Sequence, residues 1–262
     1  MSNFEDEIRS ALKRTYGEQP VCYMKISNNP NWIKDVENGK LYLNTVQYFR
    51  DLEKKQLEYK HKTRQSDGKE LKLIIKAENF YFSENETENI VLHGENADFI
   101  FDIVGDNEVR VFCLMGFCVD DFIIESYTEN EVVLKFPYND LKALNDLKCD
   151  FGTYAILIEG IQFRKRLIEV LNSTERIFLF DKIEYAVSNR LDRLQAFNGL
   201  SPKRFFYKDT DFAYQRESRI VVLDEVIGNY LEIGTITGFC RQLLTDDIPN
   251  QRVKFTFTIK EK

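Results

Sequence analysis

The feature that most constrains this fold is a mid-chain series of β-rich stretches with no helix among them. They read "LKLIIKAENFYFS", "NIVLHG", "DFIFDIVG", "VRVFCLMGF" and "EVVLKFP". Each is rich in β-branched and aromatic side chains, and Asn, Gly or Asp turn residues separate them. Strands that cluster rather than alternate with helices disfavour a doubly wound sheet. They predict an α+β domain with a β-rich, mostly antiparallel core and peripheral helices. With 43% hydrophobic residues, 21 Phe and 13 Tyr, the chain has the apolar content for such a core.

Helical signals lie on either side. "FEDEIRSALKRTY" sets Phe4, Ile8 and Leu12 on one face, acidic early and basic late as the helix dipole prefers. "VCYMKIS" reads as a strand. Pro30 marks a helix start, Asn38-Gly39 its stop, and Leu41 to Leu43 a short strand. "TVQYFRDLEKK" resumes helical spacing. Further on, "YNDLKALNDLKCD" and "IQFRKRLIEVLNS" read as helices, and "NRLDRLQAFNG" as a helix or turn. "GTYAILIEG", "RIFLFDKIEYAV" and "VKFTFTI" read as strands. With no internal repeat or linker, residues 1–262 are expected to form one domain, with the N-terminal helix inside 1–20. Residues 54–70, "KKQLEYKHKTRQSDGKE", are expected to form an exposed polar loop or a solvated helix end, the alternative being a lid or a basic contact surface. Lys54, Lys55, Lys60, Lys62, Arg64 and Lys69 make this stretch locally basic, so it is one place to look for an anionic partner.

Composition narrows the function classes. A net charge of -7 and a pI near 5.2 leave no broad basic field for duplex DNA. "MSNFEDEIRS" does not read as a signal peptide, and no apolar run suits a membrane helix. Cys22, Cys113, Cys118, Cys149 and Cys240 are scattered and form no CxxC, which fits a reducing cytoplasm with cysteines as small core residues. His61 and His93 both lie in polar segments, so neither zinc nor a His-activated nucleophile is expected. Asp120-Asp121 and Asp246-Asp247 are weak candidates for a metal nuclease, because adjacent strand positions point to opposite faces. GxGxxG and GxxxxGK[ST] are both absent.

The stretch "DFAYQRESRIVV" is the most informative for chemistry. Gln215, Glu217 and Arg219 share one parity, while Arg216, Ser218 and Ile220 share the other. Two readings stay open for Glu217: an ion pair with a neighbouring cation on a solvated face, or an active-site acid. Arg50-Asp51 is either a helix-end ion pair or a pocket-shaping turn. Trp32, at a helix start, is expected to pack.

The order of motifs resembles a poorly characterised bacterial domain family, over residues 21 to 225. The matching pieces are "CYMKIS", "LYLNTVQYFRD", "VRVFCLMGF", "FLFDKIEY" and "FYKDTDFAYQRESRIVV". The family closes on a K…W-x-Y-E-x-E-x-R signature. Here Phe212 stands for its Trp, Gln215 for its first Glu, Glu217 for its second and Arg219 for its Arg. Phe49-Arg50-Asp51 stands where the family has an aromatic-Asn-Asp turn, and the family's Met-Trp-Ser-x-Tyr run is missing.

The signature is in turn similar to mono-ADP-ribosyltransferases, which carry Glu-x-Glu or Gln-x-Glu at a strand start. That resemblance implies a split sheet, NAD as substrate and no metal. It implies Glu217 as the acid that stabilises positive charge on the nicotinamide ribose, with Gln215 placing the acceptor. Tyr23 or Lys25 would contact the adenosine side, Tyr48 or Phe49 would stack on the nicotinamide, and Arg219 joins the cofactor-binding set. The implied function is an NAD-dependent ADP-ribosyltransferase or glycohydrolase effector in bacterial phage defence or a toxin system, acting on a protein or nucleic-acid acceptor. The alternative is a non-catalytic sensor or binding domain of the same fold, recognising a phage protein or a nucleotide. The missing run and the Gln at 215 favour the alternative; the kept Glu217 and Arg219 favour the enzyme. Self-association into an oligomer is compatible with the sequence.

Overall fold

A computed structural model describes residues 3–58, 71–83, 90–138, 141–187, 190–224 and 229–256. The helices are Asn3–Tyr16 (α1), Pro30–Glu37 (α2), Val46–Glu58 (α3), Leu141–Phe151 (α4), Gly160–Ser173 (α5) and Leu191–Asn198 (α6). The first eight strands are Cys22–Ser27 (β1), Lys40–Tyr42 (β2), Asn44–Thr45 (β3), Leu73–Ser83 (β4), Ile90–Phe101 (β5), Arg110–Phe117 (β6), Ile123–Tyr127 (β7) and Glu131–Lys135 (β8). The rest are Tyr154–Glu159 (β9), Phe178–Lys182 (β10), Glu184–Tyr185 (β11), Tyr207–Lys208 (β12), Glu217–Val222 (β13), Tyr230–Glu232 (β14), Cys240–Leu244 (β15) and Arg252–Thr256 (β16).

A central sheet runs β10-β13-β6-β1-β9-β15, and every pairing along it is antiparallel. The α+β class and its mostly antiparallel core therefore hold. All six residues of β13 are buried, because both faces of this strand are covered. Ile220 and Val222 pack with Phe112, Ile156, Ile158 and the α5 residues Phe163 and Leu167 on one face. Val221 packs with Val46, Val111 and Phe205 on the other. Beside it, α1 lays Ile8 and Leu12 against Phe117, Phe122 and Phe136. Fully burying a side chain such as Phe163 stabilises by about 1.5–3 kcal/mol.

One departure from regular pairing creates the site. On one edge of β6, Phe117, Gly116 and Met115 pair with β1, whereas Val111 and Arg110 pair with β3. β1 leaves β6 after Met24 but stays with β9 through Ser27. The sheet thus forks along Phe112 to Leu114. The Lys25 ammonium bridges the gap by donating to the Cys113 carbonyl at 2.8 Å.

Several local expectations change. "NIVLHG" and "DFIFDIVG" are one long strand, β5, which continues through Asn96 in a left-handed conformation at φ 54°. β7 and β15 were missed; "FIIESY" and "CRQLL" lack a clean apolar alternation. "RIFLFDKIEYAV" divides into β10 and β11 at Ile183, which turns its side chain into the core. "KRFFYKDTDFAYQ" forms two 3-10 turns around β12. Residues 59–70 of the expected polar loop lie outside the described residues, and 54–58 belong to α3.

Candidate functional site

The stretch from Lys208 to Arg219 folds as a compact ionic knot. Asp209 caps the 3-10 turn Thr210–Gln215 by accepting from the Asp211 N–H at 3.2 Å. Arg216 then adopts a left-handed conformation at φ 44°, ψ 41°. This breaks the strict alternation that the sequence suggested. It sends the Arg216 side chain to Asp121 at 2.9 Å and lets Gln215 and Glu217 meet on one cation. That cation is Lys208 of β12, which donates to Gln215 Oε1 at 2.9 Å and Glu217 Oε2 at 2.8 Å. Arg219 grips the other carboxylate oxygen through Nε at 2.7 Å and Nη2 at 2.6 Å. Its Nη1 donates to the Phe205 carbonyl at 3.0 Å. The Glu217 backbone N–H donates to the Tyr185 hydroxyl at 2.7 Å.

This is a buried network, not a solvated face. Gln215, Glu217, Lys208 and Arg219 are all 5% exposed or less. Burial alone raises the Glu217 carboxyl pKa. The Arg219 and Lys208 cations outweigh it and hold the group well below the usual carboxylate range, helped by a hydrogen bond from the Cys113 thiol. Burial and the Glu217 charge push the Cys113 thiol up to about 12, so it stays protonated and unreactive. Burial also lowers the Lys25 ammonium pKa, against the opposing pull of Glu217.

A cavity of about 430 Å³ opens at the fork of the sheet. Glu217, Gln215, Lys25, Tyr48, Phe49 and Arg219 all line it. Tyr23 does not, which corrects its place beside Lys25. It is 1% exposed, wedged between Phe163 and Phe180, with its hydroxyl accepting from Arg164 at 3.2 Å. Lys25, on the same face of β1, reaches the cavity only because its long side chain bends into the fork. Arg219 is a brace for Glu217 and Phe205 more than an open ligand. Tyr48 is half exposed with its ring edge-on to Phe49. Arg50 is not part of the lining: it is buried and pairs with Asp102 across 3.0 Å.

Sequence reasoning missed two contributors. Lys208 is one, and its position directly before a capped turn was the available signal. Trp32 was expected to pack but is 54% exposed at the cavity mouth, near-parallel to Tyr42 with centroids 6.3 Å apart. The lining carries four cations, Lys25, Lys40, Lys208 and Arg219, against two carboxylates, Asp35 and Glu217. In a chain of net charge -7, this cavity carries an excess of positive charge.

Three of the four paired acids are committed elsewhere. Asp120 pairs with Lys13, Asp121 with Arg216, and Asp246 with Lys148. Among the described residues, no group of three His, Cys, Asp or Glu is placed to hold a metal, and no helix is long and apolar enough to cross a membrane. Comparison with protein-family models, curated proteins and solved structures finds no match.

Proposed function

We propose that this chain is a small-molecule-binding domain that takes a nucleotide in the fork cavity, NAD being the first to try. In this proposal Glu217 organises the cavity and does not catalyse within it. The observation that carries it is the charge around Glu217. The carboxylate stands against two buried cations, Arg219 at 2.6 Å and Lys208 at 2.8 Å. An acid that stabilises an oxocarbenium-like centre works through an uncancelled negative field in a low-dielectric site. Here two cations outnumber one acid, so the local field opposes developing positive charge and favours a phosphate. Lys25 adds a third cation, and an ammonium has three donors, one of which goes to Cys113. Trp32, Tyr42 and Tyr48 offer flat aromatic surface at the mouth for a base. The volume falls within the roughly 300–1,000 Å³ typical of ligand pockets.

ADP-ribosyl transfer is the second reading, supported by Gln215 and Glu217 lining one cavity in Gln-x-Glu order. It requires Lys208 to leave Glu217 when NAD enters.

Calorimetric titration with NAD, ADP-ribose and adenine nucleotides, beside an assay for nicotinamide release in cell lysate, separates the two. Binding without release is expected, and Lys25→Met weakens it by about tenfold or more. Nicotinamide release that Glu217→Gln abolishes would establish the transferase. No binding of any nucleotide and no release would overturn both.

A further inference from the structure

β4 and β5 form a two-stranded ribbon of 11- and 12-residue strands, and among the described residues no third strand pairs with either. A two-stranded ribbon is marginal in water unless another element covers it. This one also exposes Tyr81, Leu92, Ile100 and Phe101. Among the described residues, both outer edges present a backbone ladder to a further strand.

The two edges differ in charge. β5 carries Glu95 and Asp98, both exposed, with no Lys or Arg. Pairing β5 with itself gathers carboxylates. β4 carries one cation and one acid, Lys76 and Glu78, both exposed and two residues apart, so they share a face. An antiparallel two-fold contact centred on Ala77 sets Lys76 opposite Glu78 of the other chain, and symmetry makes that pair twice. Lys76 already stands opposite Asp98 within the ribbon. The joined face therefore reads Asp98, Lys76, Glu78 across three successive strands. The same register sets Ile74 opposite Phe80 and Leu73 opposite Tyr81, apolar against aromatic on both sides of the centre.

We propose that the outer edge of β4 pairs antiparallel with β4 of a second copy of this chain, about a two-fold axis through Ala77. The contact joins two ribbons into a four-stranded sheet with alternating charge on one face. Its occupant is this chain itself, because Lys76 and Glu78, placed symmetrically about Ala77, make the edge complementary to its own copy.

Sedimentation velocity over a concentration series tests this on the full chain. Wild type is expected to dimerise. Lys76→Glu leaves two acids facing two acids, and Glu78→Lys leaves two cations facing two cations, so each weakens self-association by roughly tenfold or more. Mixed in equal amounts, the two variants make opposite-charge pairs at both positions, and the mixture is expected to recover a dimer. A wild-type chain that sediments as a monomer throughout overturns the proposal, whatever the variants do. So do single variants that dimerise as tightly as wild type, or folded variants, by circular dichroism, whose mixture stays monomeric.

Discussion

At the scale of single residues, Glu217 sits where three constraints meet. It is buried, it bonds two cations, and it faces the cavity. Removing one member of such a buried network leaves the others uncompensated, at a cost of about 3–5 kcal/mol. Glu217→Gln is therefore expected to lower unfolding free energy by an amount near the bottom of that range, since the amide still accepts one hydrogen bond. The pH dependence carries the sign. The folded carboxyl pKa is depressed below its unfolded value of about 4.3, so its contribution is complete above that pH and is lost progressively as pH falls from there through the folded value. Denaturant melts at pH 7 and pH 3 should show the gap between wild type and Glu217→Gln narrowing in acid. A gap that stays constant between those conditions would contradict the ion-pair account. The sequence reached Gln215 and Glu217 through their parity, yet that parity held for another reason. A left-handed Arg216, not an extended strand, brings the two side chains together. Nothing in the letters around Arg216 signals that conformation, because Gly is the residue that announces it.

At the scale of elements, the fork depends on how β1, α2 and β2 are held away from β6. Asn29 caps α2 by accepting from the Asn31 N–H at 3.0 Å. Gly39 then turns the chain at φ 78° into β2, which carries Lys40 and Tyr42 to the cavity mouth. A Cβ at Gly39 would lie 1.9 Å from the Gly234 carbonyl oxygen, an approach no side chain allows. Gly39→Ala is expected to cost about 2 kcal/mol or more, from left-handed backbone strain plus a forced shift of the β14 side. A thermal melt checks the stability, and the same variant should bind nucleotide more weakly because β2 moves. An unchanged melting temperature would contradict it. Elements with strong local signals were legible: the helix over Pro30–Glu37 between Pro and Asn-Gly, and β1, β6 and β9 from their apolar runs. β15 was not. It is an edge strand whose "CRQLL" is only half buried, so the sequence lacks the apolar pattern of a covered strand.

At the scale of the whole molecule, charge is divided unevenly. The chain is acidic overall, while the fork cavity concentrates cations. Net charge alone spoke against duplex DNA and was silent on a local anion site, because Lys25, Lys40, Lys208 and Arg219 are far apart in sequence and converge only through the sheet order. The same non-local pairing explains why Tyr23 looked like a ligand contact: its neighbour Lys25 reaches the fork, but at Tyr23 the face of β1 lies under α5. The most direct test of the cavity assignment is a crystal structure of the protein with a bound adenine nucleotide. A phosphate is expected within hydrogen-bond distance of the Lys25 or Lys208 ammonium, about 2.7–3.2 Å, with the base against Trp32. A ligand bound outside the fork, or one that turns its ribose to a Glu217 freed from Lys208, would contradict the account.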